Sequence, residues 1–404
     1  MFPGTTASTE PPGEAAAEGT GPPEGPALRR VGVLILGVVL GLLLFDRGLA
    51  WFDSSRDLSN EDMLVPDAEL AWTNRPGYTN EKVYVNALGL RGPEIPADAP
   101  PTELRILGTG PSTTFGAGEG GPDTEHTWAA SLERMLPTLP GGDGPERVIN
   151  GGVPGYSVIQ ACRRALALIP KLHPDLVLVF VSPGSQALMD PSGTRNYVRV
   201  DGELVPSDIA MDTPRLLLPA AILAHEALSH SALYSRWRLE ATDAGRRPKE
   251  IDRFVISRAP HGPEIELMLT RTWADLAALA KGCREAGVEL RALLVPEPFM
   301  DCEAHWHEHL VDNVSAGAPP VGTPRVEPIE VLDEKLSALG ITCWSFHDAL
   351  TVIGGDRKKF TGADGQHWSA AGHDVIAATI LRNIKREGLL ETLRERRQGR
   401  PRSP

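Results

Sequence analysis

The sequence predicts an α/β protein built on a mostly parallel, five-stranded sheet with helices on both faces. Three observations predict it. From Leu104 onward, short apolar runs alternate with segments whose apolar residues recur at helical spacing. One run, Leu176-Val177-Leu178-Val179-Phe180-Val181, is continuous, as suits a strand buried on both faces of a parallel sheet. The runs end in turn residues that lead into helices, which is the strand–helix–strand order of a parallel crossover.

The chain opens with residues 1–28, rich in Pro, Gly, Ala, Glu and Thr. They hold too little apolar surface to offset the entropy of ordering, so a disordered tail is expected. Arg29-Arg30 precede an uncharged run from Val31 to Phe45; Asp46 and Arg47 interrupt it before Gly48-Leu49-Ala50-Trp51-Phe52. The run alone is short of the roughly 20 residues of a membrane span, and extension through Trp51 reaches that length. Arg47 would snorkel, and Trp51 and Phe52 suit an interfacial belt. A transmembrane signal anchor over residues 29–52 is therefore expected, touching the membrane through residues 31–51. A cleaved signal peptide and a buried core helix are the alternatives. The first lacks a clean small-x-small site, and the second fits poorly with a run that is apolar on every face. The Arg pair puts the N-terminus inside, so the protein is expected as a single-pass cell-membrane protein with its C-terminal domain extracytoplasmic.

Residues 53–102 are polar and turn-rich and read as a linker or lead-in. The main domain spans 103–388. Leu104-Arg105-Ile106-Leu107 is its first strand, closed by Gly110-Pro111-Ser112. A helix follows over 127–136. The second strand, Arg147–Asn150, ends in Gly151-Gly152-Val153-Pro154-Gly155-Tyr156, and Ser157 caps a helix to about residue 172. The third strand is 176–181. Residues 187–260 break the alternation and read as an insertion, with Asp201-Gly202 between two short β-prone runs as a hairpin signal. A helix over 263–286, a strand over 288–295, a helix over 328–338, a strand over 341–346 and a helix from Ser369 to about residue 387 complete the domain. Residues 389–404, with Arg394, Arg396, Arg397, Arg400 and Arg402, read as a solvated basic tail.

Composition narrows the function classes. The chain has 404 residues, 41% of them hydrophobic and 23% charged, which suits a globular domain with appendages. A formal net charge of −13 argues against a nucleic-acid binder, which would show a basic stripe. Cys162, Cys283, Cys302 and Cys343 form no CxxC pair, which argues against a zinc ribbon. Disulfides and separate buried thiols both remain open. His305-Trp306-His307-Glu308-His309 would align its imidazoles only on a strand, and it follows a strand end, so it reads as a solvated loop. No metal and no cofactor are expected.

Sites in parallel sheets sit at the carboxyl ends of strands. Ser112 lies there, and far downstream Asp364-Gly365-Gln366-His367 offers a base and a carboxylate on one turn. A serine hydroxyl becomes a competent nucleophile when a base takes its proton and a third group fixes the base's tautomer. The bland reading of Ser112 is a turn residue, and of Asp364 and His367 a helix-start pair.

These residues resemble the SGNH, or GDSL-type, hydrolase family. Its first block, Gly-Asp-Ser-x-Thr-x-Gly, is matched by Gly110, Ser112, Thr114 and Gly116, with Pro111 in the aspartate position. Asn150-Gly151-Gly152-Val153-Pro154-Gly155 matches the second block, and Asp364 with His367 the last. Asn86-Ala87-Leu88-Gly89-Leu90-Arg91-Gly92 resembles the lead-in of membrane-anchored members. The resemblance covers residues 83–388. It implies a flavodoxin-like three-layer α/β/α sandwich, with Ser112 as nucleophile, His367 as general base, Asp364 as orienting carboxylate, and the N–H groups of Ser112 and Gly152 as oxyanion donors. Where the third block should read Gly-x-Asn-Asp, the chain reads Ser182-Pro183-Gly184-Ser185-Gln186; Gly184 takes the asparagine's place, with Ser182 or Gln186 as substitutes. The implied function is an extracytoplasmic serine esterase or O-acyltransferase acting on acylated carbohydrate or cell-envelope polymer. The alternatives are a catalytically degenerate domain that binds glycan or a partner protein, and a purely structural tethered envelope protein.

Overall fold

The computed structural model describes residues 26–52, 63–67, 69–96, 100, 102–118, 121–139, 144–182, 197–200, 203–206, 209, 213–228, 231, 233–234, 263–295, 327–346, 359–363 and 367–398. In chain order its elements are α1 (Pro26–Phe52), β1 (Leu64–Asp67), β2 (Ala71–Asn74), β3 (Leu104–Thr109), α2 (Ser112–Phe115), α3 (Trp128–Met135), β4 (Glu146–Asn150), α4 (Val158–Leu172), β5 (Leu176–Val181), β6 (Tyr197–Val200), β7 (Glu203–Pro206), α5 (Leu218–Leu228), α6 (Pro263–Ala286), β8 (Glu289–Leu294), α7 (Glu327–Ala338), β9 (Thr342–Ser345), α8 (Ala370–Arg386) and α9 (Leu389–Gln398). The chain divides into two units, one holding α1 with Ser231–Leu233 and the other the remaining elements.

The larger unit carries the expected sheet. Its strand order is β4-β3-β5-β8-β9, and every neighbouring pair is parallel. This is the doubly wound order of a flavodoxin-like sheet, with its switch point beside the first strand, β3. Side chains alternate across the strands, so one sequence builds two cores. Leu107, Ile149, Val177, Val179 and Leu294 pack under α4, α6 and α7. Leu104, Ile106, Val148, Leu178, Phe180 and Leu293 pack with Trp128, Leu132, Ile376 and Ile380 on the other face. Three layers result. Ser157 and Gln160 form a reciprocal capping box at the start of α4, which fixes where the chain leaves the Gly152 turn. β6 and β7 pair antiparallel with Val200 opposite Glu203, as the Asp201-Gly202 signal anticipates.

The structure corrects three expectations. Residues 63–96 are not a linker. β1 and β2 form a hairpin whose Leu64, Leu70 and Trp72 are buried with Val153 and Tyr156. Trp72 Nε1 donates to Pro154 O at 3.0 Å, and Tyr156 Oη donates to Trp72 O at 2.7 Å. Met63, Val83 and Val85 dock the same segment onto Phe115.

The C-terminal segment is not wholly a solvated tail either. α9 buries Leu389, Leu390 and Leu393 against the α3/α8 face of the sheet. Its basic residues are paired: Arg394 with Glu146, Arg396 with Glu289 at 2.7 Å, and Arg397 with Asp175 at 2.8 Å. Charge run and apolar stripe share one helix, and the stripe decides its fate.

The third correction concerns the anchor. Residues 26–52 do form one helix, and side chains such as Val33, Leu34 and Leu44 are exposed. Yet among the described residues no helix is long and apolar enough to cross a membrane. Cys162, Cys283 and Cys343 are free thiols, and burial pushes the Cys283 thiol up to about 12. Cys302, the His305–His309 segment and the tails at 1–25 and 399–404 lie outside the described residues.

The docking of α9 yields a direct test. Leu390→Ala removes a fully buried side chain, and its expected cost is about 2–5 kcal/mol in urea unfolding. A solvated tail would leave the midpoint where it is.

Candidate active site

The site is built around a helix of one turn. β3 ends at Thr109, and Gly110-Pro111 turn the chain into α2, whose first residue is Ser112. Pro111 holds φ at −79°, and its carbonyl accepts the N–H groups of Thr114 and Phe115 at 3.0 Å each. The Gly116 N–H closes the turn on Ser112 O at 2.7 Å, with Gly116 in the left-handed region at φ 89°. Glycine suits that conformation because it lacks a Cβ. From outside, the Trp128 indole donates to Thr114 O at 2.8 Å, and the Arg91 guanidinium donates to Phe115 O and Gly116 O.

His367 arrives from the other end of the sequence. Thr361 and Trp368 form an antiparallel bridge, and the Gly362 N–H donates to His367 O at 2.7 Å. Trp368 is buried edge-on against Phe346, with ring centroids 5.1 Å apart. Ser369 then caps α8. Between these anchors the imidazole Nε2 lies 2.9 Å from Ser112 Oγ. The two residues are 255 positions apart in sequence. For the hydroxyl to donate, the ring must carry its proton on Nδ1. Asp364, the expected orienting carboxylate, lies outside the described residues, as do Gly184 and Gln186. Ser182 is buried at the end of β5.

The N–H of Gly152, an expected oxyanion donor, donates to Asn150 Oδ1 at 3.0 Å. A Cβ at Gly152 would lie 2.4 Å from Phe115 N, so the missing side chain is what lets the β4 turn pass beneath α2. Asn150 completes the link: its Nδ2 donates to Phe115 O at 3.2 Å. The Ser112 N–H, first in α2, has no acceptor within that helix.

His373 is the functional neighbour that sequence reasoning passed over. It lies fully buried on α8, and its Nδ1 accepts the Trp128 N–H at 3.1 Å, capping α3 from another helix. Burial, then the charges of Arg91 and His367, hold its pKa down to about 3, so it is a neutral ring. The signal was present: His373, Ile376 and Ile380 fall on one helical stripe facing the core. Among the described residues no group of three or more His, Cys, Asp or Glu could hold a metal ion.

No family model matches the chain, and no curated protein matches it. Among solved structures it is similar to a lipase/acylhydrolase from Enterococcus faecalis, at 17% identity over 70% of this chain and 96% of that one, with a TM-score of 0.36. It is also similar to a catalytic mutant of an acetylxylan esterase from Geobacillus stearothermophilus, at 14% identity, 70% and 94% coverage and a TM-score of 0.38. A psychrotrophic esterase from Pseudoalteromonas sp. is similar at 14% identity, 70% and 97% coverage and a TM-score of 0.35.

The buried imidazole ties stability to pH. Between its ordinary value of 6.5 and its native value of about 3, the unfolded chain takes up a proton at His373 that the folded chain refuses. The contribution is therefore complete above pH 6.5 and declines as pH falls through that window, by up to about 1.4 kcal/mol per pH unit. His373→Asn retains an acceptor for the Trp128 N–H and cannot titrate. Urea unfolding from pH 7 to pH 4 is expected to show a shallower acid slope for this variant than for the wild type.

Proposed function

We propose that the chain is a serine esterase of the SGNH, or GDSL-type, kind that works through an acyl-serine intermediate. One observation carries the reading: the 2.9 Å contact between Ser112 Oγ and His367 Nε2, made across 255 positions beside the sheet's switch point. As Ser112 Oγ attacks an ester carbonyl, His367 Nε2 takes its proton and then gives it to the departing alcohol. Water, activated by the same ring, attacks the acyl-serine and releases the acid. If another hydroxyl takes the place of water, the outcome is O-acyl transfer. Asp364, three residues before His367, has the spacing to hold the Nδ1 proton. The Ser112 N–H is the first oxyanion donor; Gly152 joins it when its N–H leaves Asn150.

The substrate class in this reading is an O-acylated carbohydrate or cell-envelope polymer, with no cofactor. In this reading the domain acts at the cell membrane, on its extracytoplasmic side. The placement is supported by the Arg29-Arg30 pair ahead of an uncharged run from Val31 to Phe45, whose leucines and valines are exposed. A second reading, a degenerate domain that binds glycan or protein, is favoured by the engagement of the Gly152 N–H with Asn150.

A small acetyl ester and a serine-directed phosphonate separate the two. The wild-type chain is expected to turn over the ester and to be labelled at Ser112. Ser112→Ala is expected to lose both, turnover by at least roughly a thousandfold. Turnover that persists in Ser112→Ala removes Ser112 from the mechanism. A wild-type chain that shows neither activity nor label favours the binding domain.

A further inference from the structure

We infer that Arg91, in the lead-in ahead of the main sheet, is a positioning residue that holds the nucleophile turn in register with His367. The inference rests on the esterase reading and assigns a role to a residue that reading does not use.

The lead-in is shaped to deliver this side chain. Asn86 Oδ1 accepts the N–H groups of Leu88 and Leu90 at 2.9 and 3.1 Å, and the Asn86 N–H returns to Leu90 O at 2.8 Å. These bonds close a tight loop, an Asx-type turn of the kind asparagine favours. Gly89 takes φ 72° at its tip, with its Cβ position 3.1 Å from Asn74 O. The chain then pairs with the end of β4: the Arg91 N–H donates to Asn150 O at 3.0 Å, and the Gly92 N–H to Tyr84 O at 3.0 Å. The backbone of Arg91 is thus locked to Asn150, at the end of β4 and just ahead of the Gly152 turn.

From there the guanidinium reaches the far end of α2. Nη1 donates to Phe115 O and to Gly116 O, both at 2.8 Å; Nη2 donates to Pro122 O at 2.7 Å, with Lys82 O at 3.4 Å. The group lies over the Phe115 ring, 4.8 Å from its centroid, and the residue is 3% exposed. A planar fork meets carbonyls from both sides of the Gly116 turn, which a single ammonium does not reproduce. The cation also sits at the carbonyl end of the helix, where a positive charge is favoured. Ser112 begins this one-turn helix and Phe115 ends it. A shift at Phe115 therefore moves Ser112 Oγ relative to an imidazole that is fixed from elsewhere. Misplacement of a reacting group by about 1 Å costs roughly a hundredfold in rate.

The test uses the full-length chain in detergent, with Arg91→Ala and Arg91→Lys compared with wild type and Ser112→Ala. Two quantities are read: the rate of phosphonate labelling at Ser112, and kcat and KM for the acetyl ester. Arg91→Ala is expected to label about a hundredfold more slowly, with kcat reduced and KM within about threefold of wild type. Added methylguanidinium is expected to restore part of the rate in Arg91→Ala and none in Ser112→Ala, a response that general loss of packing would not give. Should Arg91→Ala fail to fold, Arg91→Lys carries the test: labelling about tenfold slower with an unchanged thermal midpoint supports the inference. If wild type is labelled and the folded Arg91 variant matches its rate, the positioning role is overturned while the esterase reading stands. A wild type that neither turns over nor labels overturns the esterase reading and this inference together.

Discussion

A helix of one turn cannot hold itself. Nucleation fixes several backbone dihedrals for a single hydrogen bond, so four residues in isolation would spend most of their time unwound. Ser112 sits on such a helix, and its contact with His367 depends on everything that grips α2 from outside. Pro111 sets the entry, Trp128 holds the middle, and Asn150 and Arg91 hold the end. Two glycines make the grip close. A Cβ at Gly110 would strike Thr114 and Phe180, and one at Gly152 would strike Phe115.

Glycine-rich turns let backbones approach, but they leave carbonyls off the sheet ladder. A buried carbonyl without a donor is costly, so these turns need donors brought to them. Two buried arginines supply them. Arg91 serves Phe115, Gly116 and Pro122, while Arg164 donates to Gly151 O at 2.9 Å, Gly89 O at 2.7 Å and Thr73 Oγ1 at 2.6 Å. Arg164 in this way joins α4 to the lead-in and to the β4 turn at once. The same logic explains why the β1–β2 hairpin is ordered: Asn74 Nδ2 donates to Gly152 O and Gly89 O at 2.9 and 3.1 Å. The ring of His373 stays neutral beside Arg91, which spares the turn a second buried cation.

The sheet was legible because its signals are local and periodic. Apolar runs, their punctuation by glycine and proline, and the Ser157 cap each need only a few neighbouring residues to be read. Ser112 and His367 were legible as a candidate pair, since their residue types and flanking turns are unusual together, and the structure brings them within 2.9 Å. The grip on α2 was not. Arg91, Trp128 and His373 act through contacts that span up to 245 positions, and nothing near them in sequence reports the partner. The lead-in and α9 were misread for a related reason. Each presents many polar residues, and its docking rests on scattered apolar side chains whose effect is visible only once the receiving surface exists.

Pro111 and Gly152 bear on catalytic competence in opposite ways. The Pro111 ring fixes φ near the value α2 needs, and its carbonyl accepts two N–H groups. It stiffens the entry to Ser112. The Gly152 N–H is the stricter matter, because Asn150 Oδ1 already holds it. Releasing it would forgo a bond of about 0.5–1.5 kcal/mol and leave a buried acceptor, about 1–3 kcal/mol in all. An oxyanion donor contributes about 2.7–4 kcal/mol to the transition state. Under the proposed esterase reading the balance stays with the oxyanion by a narrow margin. Asn150 therefore links the two turns: its Oδ1 accepts the Gly152 N–H, and its amide donates to Phe115 O at the end of the helix that Ser112 begins.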